Sequence, residues 1–333
     1  MKKLALLLAA LSVASVSYAK EVMPEAAPVV EEAPVVEEVV EVKAAPVLRV
    51  TSVGQELVVE NTSGNENIGE AVHLKNMVGL ALGDNWTFDL MARKTWKAST
   101  DDVNVYDKFG EPTGEKWDGM KSNGHRIDLQ ATRHFENFSV GLKWRGEQDA
   151  DKFYLPVSYK YGMFSGFVTP GYAFYDNGQD AFYLEAEPVQ LSYGPFQLAY
   201  YFEGEQFTGD GARTEYEPGL FADRDHWYVH QARLRATLFS NDTFTVGAEY
   251  RYQFASDDVY KDREVGYEGK EFVFENNRHI AILNASYNVT ENLTLAGYYQ
   301  YEFNKYDNRY DGEKIETADD YFGEFGLGWT YNF

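Results

Sequence analysis

The residues best equipped for chemistry come in pairs two positions apart. Arg126 and Asp128, Lys143 and Arg145, Glu185 and Glu187, Arg233 and Arg235, and Glu249 and Arg251 each enclose one apolar or aromatic residue. In an extended chain a spacing of two returns the side chain to the same face, so each pair points one way. Lys75, Arg93, Lys160 and Arg278, with Asp89, Glu203 and Glu302, join that face when the parity of their own segments is followed. Ten cations and seven carboxylates result. The segments with Glu185, Glu187 and Glu203 are acidic, whereas those before and after them are basic. Opposed walls of that kind set up a transverse field across a wet constriction. The plainer reading is that the same charges pair across neighbouring strands and fill a polar interior.

Catalysis has thinner support. Asp223-Arg224-Asp225-His226 places a histidine among carboxylates, and Asp101-Asp102 and Asp257-Asp258 supply further acids. Segments this acidic contain Asp pairs by composition alone, so solvated charge is the better explanation. The chain has no GxSxG, HExxH, phosphate loop or dinucleotide fingerprint. Asp257-Asp258 lacks the ligand spacing of a calcium loop. With no cysteine, thiolate nucleophiles and cysteine-zinc sites are excluded. The sequence therefore points to no enzyme, no cofactor and no metal.

The elements that must position these charges are strands. From Val47 onward, runs of about ten residues alternate apolar with polar side chains and end in turn residues. Trp86, Phe88, Leu90 and Ala92 share one face; so do Phe138, Val140, Leu142 and Trp144, and so do Leu293, Leu295, Gly297, Tyr299, Tyr301 and Phe303. Fourteen such runs are expected, near 47–59, 70–82, 86–98, 124–135, 138–148, 152–162, 166–176, 180–193, 196–207, 226–239, 243–255, 277–290, 293–305 and 319–333. Pro170 and Pro188 mark bulges or strand ends, and twelve strands is the lower count. Short turns such as Gly83-Asp84-Asn85, Glu136-Asn137, Gly194-Pro195 and Asn241-Asp242 alternate with long acidic connections at 99–123, 208–225, 256–276 and 306–318.

Short turns at one end and long loops at the other describe an all-β, antiparallel, up-and-down transmembrane β-barrel. A soluble sandwich needs neither that alternation nor aromatics clustered at strand ends, in a chain with 25 tyrosines and 22 phenylalanines. Mean hydropathy is only −0.46, because a barrel turns every second residue away from lipid. No window has the ~18 consecutive apolar residues of a helical span beyond the first segment. A net charge of −23 argues against nucleic acid, which needs clustered basic surface.

Ahead of the strands stand two short regions. Residues 1–19 read as an export signal, with Lys2 and Lys3, an apolar stretch over Leu4–Val16, and Ser17-Tyr18-Ala19 as the cleavage site. Residues 20–46 repeat Ala-Pro-Val-Val-Glu-Glu at 27–32 and 33–38, carry seven Glu against two Lys, and read as a solvated periplasmic linker. The barrel then occupies 47–333. At its end Phe325, Leu327, Trp329, Tyr331 and Phe333 alternate with small or polar residues. Trp329, Tyr331 and Phe333 resemble the terminal aromatic pattern of outer-membrane proteins, and that resemblance implies an assembly signal read by the barrel-assembly machinery.

The opening MKKLALLLAALSVASVSYAKEVMPE resembles the fusobacterial FomA-like major outer-membrane porins, and the barrel pattern and terminal Trp329-Thr330-Tyr331-Asn332-Phe333 are compatible with it. That resemblance implies a Gram-negative cell outer membrane, fourteen strands, a homotrimer, and a weakly selective porin for small hydrophilic solutes. A more distant similarity is to oligogalacturonate-type monomeric porins, whose basic tracks pass acidic oligosaccharides. Arg93, Arg126, Lys143, Arg145 and Lys160 fit that idea, and the Glu185, Glu187 and Glu203 wall fits it poorly. The expected function is a passive diffusion channel, with an adhesin or structural barrel bearing acidic surface loops as the alternative.

Overall fold

A computed structural model describes residues 47–62, 71–106, 112–176, 178–209, 214–217, 220–262 and 271–333. The expected export signal over 1–19 and linker over 20–46 lie outside the described residues. Sixteen strands follow in order: β1 (Leu48–Glu60), β2 (Val72–Leu82), β3 (Trp86–Tyr106), β4 (Pro112–His134), β5 (Phe138–Glu147), β6 (Ala150–Tyr154), β7 (Val157–Tyr161) and β8 (Phe164–Tyr175). Then come β9 (Asp180–Tyr193), β10 (Phe196–Thr208), β11 (Thr214–Glu217), β12 (Leu220–Ser240), β13 (Phe244–Asp262), β14 (Glu271–Asn288), β15 (Leu293–Tyr310) and β16 (Glu313–Asn332).

Each strand pairs antiparallel with its neighbours, β10 pairs β12, and β1 pairs β16, so the sheet closes on itself. Fourteen crossings build the wall. β6 and β7 together make one of them, since both sit between β5 and β8, and β11 pairs only with the outer end of β12. Closure leaves no open edge, which is the condition for a sheet to cross hydrocarbon. No helix among the described residues is long and apolar enough to cross a membrane.

Alternation fixes which face is which. Phe182, Leu198, Leu283 and Leu327 are more than half exposed and belong to one parity around the ring. The other parity carries the contacts that identify the concave side. Lys152 on β6 reaches Glu205 on β10 at 3.5 Å although β8 and β9 lie between them. Strands are ~4.8 Å apart, so side chains meet over that span only across the inside of a curve.

The turns have local causes. Gly194 has φ +56 and open space where a Cβ would stand, so it is the backbone conformation that calls for glycine. Pro195 follows in the two-residue hairpin between Tyr193 and Phe196. In the β12–β13 turn the Asn241 Oδ1 accepts from the backbone N–H of Thr243 at 2.9 Å and of Phe244 at 2.7 Å.

Two prolines behave differently. Pro188 sits where the register of β9 shifts against both β8 and β10, as expected of a bulge. The extra residue flips parity, so Glu185, Glu187, Gln190 and Ser192 stay on the concave face while Val189, Leu191 and Tyr193 turn outward. Pro170 lies beside the Leu155-Pro156 break that separates β6 from β7. Pro170 and Pro156 lack a donor there, yet their carbonyls accept, Pro170 from Leu155 N–H at 2.9 Å and Pro156 from Gly141 N–H at 2.7 Å.

The long connections are where the sequence reading needs correction. Much of 99–123, 256–276 and 306–318, expected as loop, is paired strand: β3 runs on to Tyr106, β13 to Asp262 and β15 to Tyr310. Of 208–225, described parts form β11 and the start of β12. Strands of 18 to 23 residues exceed the ~9–11 that cross a bilayer, so these hairpins stand well beyond it. Outside lipid both faces are wet and apolar alternation has no cause, which is why the pattern fades there.

Candidate functional site: the charged concave face

Cross-strand register places all seventeen charged residues singled out above on one face. Gly79, Asp89, Gln130, Lys143 and Tyr154 form one continuous row from β2 to β6. Lys160 joins through Ser165, Gln190, Ala199 and Arg233, taken strand by strand from β7 to β12.

What the sequence did not give is who partners whom. The Asp128 carboxylate takes three cations: Arg126 Nε at 2.7 Å, Lys143 Nζ at 3.0 Å and Arg145 Nε at 3.2 Å. The buried Glu187 is gripped by Arg233 at 2.7 Å and by Arg235 at 2.6 Å, reaching over β10 to do so. Glu249 joins Arg235 at 3.2 Å and Arg251 at 2.7 Å. Arg278 and Glu302 stand 3.7 Å apart, and Lys75 binds Glu56 at 2.8 Å.

The opposed walls expected from the sequence are therefore not there. Glu187 belongs to an arginine cluster rather than to an acidic wall. Glu185 and Glu203 do face each other directly, but tyrosines occupy them. Tyr183 donates to Glu203 at 2.8 Å and Tyr201 donates to Glu203 at 2.6 Å, with longer contacts to Glu185. Glu56, Glu60, Glu147, Glu205 and Glu324 also share the face, against one further amine, Lys152, which removes the basic surplus.

Sequence reasoning missed the aromatic members of this face. Glu205, nearly buried, accepts from Tyr175 and from Trp227 Nε1, both at 2.8 Å. The Arg233 guanidinium lies 3.4 Å from the centre of the Tyr201 ring, and Arg145 lies 5.2 Å from that of Tyr154. Tyr201 and Glu205 share the parity of Glu203, and Lys152 and Tyr154 that of Lys160, so parity alone could have found them. Reading aromatics only as lipid-facing hid the tyrosines.

Space remains on the inside. A cavity of about 390 Å³ is lined by Ser52, Gly54, Gly79, Asp89, Asp128, Gln130, Lys143 and Thr330 among others. A polar one of about 510 Å³ toward the long hairpins touches Glu60, His73, Arg93, Thr95, His125 and Glu147. A third, about 290 Å³, runs along Glu56, Ser286, Ala296, Gly326, Gly328 and Thr330.

At the rim, His226 Nδ1 lies 2.8 Å from Asp225 Oδ2 and its Nε2 lies 4.0 Å from Asp257. Arg224 and Asp258 form a two-point pair at 2.8 Å, and Lys261 holds Asp225 at 2.7 Å. Burial pushes the Asp225 carboxyl up, but Lys261 and His226 outweigh it and hold the group below the usual carboxylate range. These groups, expected in solvated loops, sit instead in the paired strands β12 and β13 and are held by ion pairs. No cluster of three or more metal-ligating side chains occurs among the described residues. Asp101 and Asp102 have side chains outside the described residues.

No protein-family model and no curated protein matches the chain. Among solved structures, it is similar to OmpT, an outer membrane protein of Vibrio cholerae, at 12% identity over 86% of this chain and 98% of that one, with a TM-score of 0.43. It is also similar to an outer membrane channel from Pseudomonas putida F1, at 11% identity over 87% and 98%, TM-score 0.41. A third likeness is the outer membrane protein OprD from Pseudomonas aeruginosa, at 12% over 85% and 93%, TM-score 0.37.

Proposed function

We propose that this chain is an outer-membrane porin, a passive and weakly selective channel for small hydrophilic solutes and ions. The observation that carries the reading is a closed ring of fourteen crossings with an exposed apolar exterior and polar cavities along its concave face. A sheet with that exterior belongs in a lipid bilayer, and an exported barrel belongs in the Gram-negative outer membrane. The seventeen charged residues then line the solute path. The FomA-like resemblance adds a homotrimer to the proposal, and residues 1–19 and 20–46 act as export signal and periplasmic linker.

Phe325, Leu327, Trp329 and Tyr331 are exposed on β16, and Phe333 N–H still donates to Thr51 at 3.0 Å. That supports an assembly role for Trp329, Tyr331 and Phe333. Deleting Phe333 should lower the yield of assembled barrel several-fold while leaving the conductance of the assembled fraction unchanged. Pure folded protein in planar bilayers should give single-channel current steps; their absence would end the porin reading.

The long paired hairpins favour a second reading, an adhesin or structural barrel. It predicts cell-surface binding without current. No catalytic role is assigned, and a hydrolase activity abolished by His226→Ala would overturn that view.

A further inference from the structure

Two spaces on the concave face meet at one group of side chains. Asp128 and Lys143 line the 390 Å³ cavity, and Arg93 and Glu147 line the 510 Å³ one. Between them Arg93 and Arg126 stand directly opposite each other on β3 and β4, and Asp128 stands opposite Arg145 on β4 and β5. A solute moving from one cavity to the other passes this waist.

The charges at the waist do not balance. Three cations converge on the single Asp128 carboxylate. Arg93 has no carboxylate within ion-pair distance among the described residues, and its Nε is buried without a hydrogen-bond partner. The nearby acids are committed or set apart. Glu147, opposite Arg126, is taken by Lys152 at 3.6 Å; Glu60 is taken by His73 at 2.7 Å; Asp89 stands opposite Gln130.

We propose that the waist is a binding step for small oxyanions, carboxylate or phosphate, and that Asp128 is the resident counter-ion beside which a passing anion settles. This rests on the channel reading and names its solute class. A guanidinium fork matches two oxygens of such a group, and fixed cations in a confined site hold charge better than mobile ones in water. These cations are fixed: Arg145 and Lys143 lie 5.2 and 5.7 Å from the centre of the buried Tyr154 ring. With its ring covered in this way, Tyr154 offers no stacking platform for sugars, so the site suits compact anions over oligosaccharides. A protein of net charge −23 would thus prefer anions at this waist.

The test uses full folded protein in neutral phosphatidylcholine bilayers under a KCl gradient, with inorganic tripolyphosphate or citrate added to one side. The reversal potential should take the anion-preferring sign, and both additives should reduce current. Arg93→Gln should raise the blocking concentration about tenfold, the loss of one charge-assisted contact of ~1.4 kcal/mol. Asp128→Asn, nearly isosteric, should lower it. Block by tripolyphosphate but not citrate narrows the class to phosphates. Cation preference without block, or block unchanged in Arg93→Gln, overturns the proposal. Calorimetric titration of the detergent-folded barrel with tripolyphosphate gives an arm that needs no conduction. Binding lost in Arg93→Gln, without current steps, sinks the channel reading and keeps the site; no binding by wild type sinks the site.

Discussion

Two arcs of one wall solve opposite problems. From β4 through β13 the concave face is crowded: Glu187 under Arg233 and Arg235, Tyr201 under Arg233, and Glu205 among Lys152, Tyr175 and Trp227. From β14 round through β16 and β1 to β3, the same face carries Gly54, Gly79, Ala296, Gly326, Gly328 and Thr330. The first arc is bonded inside and filled. The second is bonded only toward the long hairpins, by Lys75 to Glu56 and Arg278 to Glu302, and is bare toward the short turns. Its backbones come close at the seam, where a Cβ on Gly54 would meet the Trp329 carbonyl at 2.7 Å and one on Gly328 the Gln55 carbonyl at 2.7 Å. The lesson is that dense side-chain bonding and open space fall on different strands. Side chains brace one side so that the other can stay empty.

If that division is right, perturbing each arc should give a different symptom. The largest effect belongs to the braced arc. Glu187→Ala leaves two half-buried guanidiniums without their buried acid and should cost about 3 kcal/mol, read as a lower urea midpoint for unfolding. Conductance of the surviving barrels should rise or hold. Next, Thr330→Trp fills the bare arc, where Thr330 borders two cavities. Single-channel conductance should fall by roughly half or more with little change in stability, because the added bulk enters open space. The same bulk at Gln190, over the filled arc, should change conductance less. An equal loss at both positions would break the comparison.

Smaller changes sharpen it. Tyr201→Phe removes the hydroxyl 2.6 Å from Glu203 but keeps the ring beneath Arg233, and should destabilise by about 1 kcal/mol. Asn241→Ala unties the β12–β13 turn and should cost about 0.5–1 kcal/mol, with conductance untouched. Both are measured by the same urea titration.

Much of this was legible beforehand. Lipid demands an apolar residue at every second position, so a strand such as Phe138–Glu147, expected at 138–148, could be placed to within a residue. Parity likewise put Asp128 with Arg145 and Glu187 with Arg233 on one face. Partnership was not legible, because it depends on register between strands far apart in sequence, and Glu187 reaches its arginines across an intervening strand. Nor was the outer half of the long hairpins. Alternation stops where lipid does, so nothing in the order of 256–261 marks those residues as paired.

The seam has a last consequence, for the timing of folding. Thirteen of the fourteen junctions join strands near in sequence, and hairpins such as β15–β16 can form as local units. The fourteenth joins Ser52 to Asn332, about 280 residues away. Ring closure over that distance adds little free energy per doubling of length, ~0.6 kcal/mol, but it is the kind of distant contact that makes β-topologies slow. Until the final aromatic residues are synthesised, β1 has no partner on one side. The chain must therefore be kept from aggregating, with an unpaired edge at each end, for the whole of its synthesis and export.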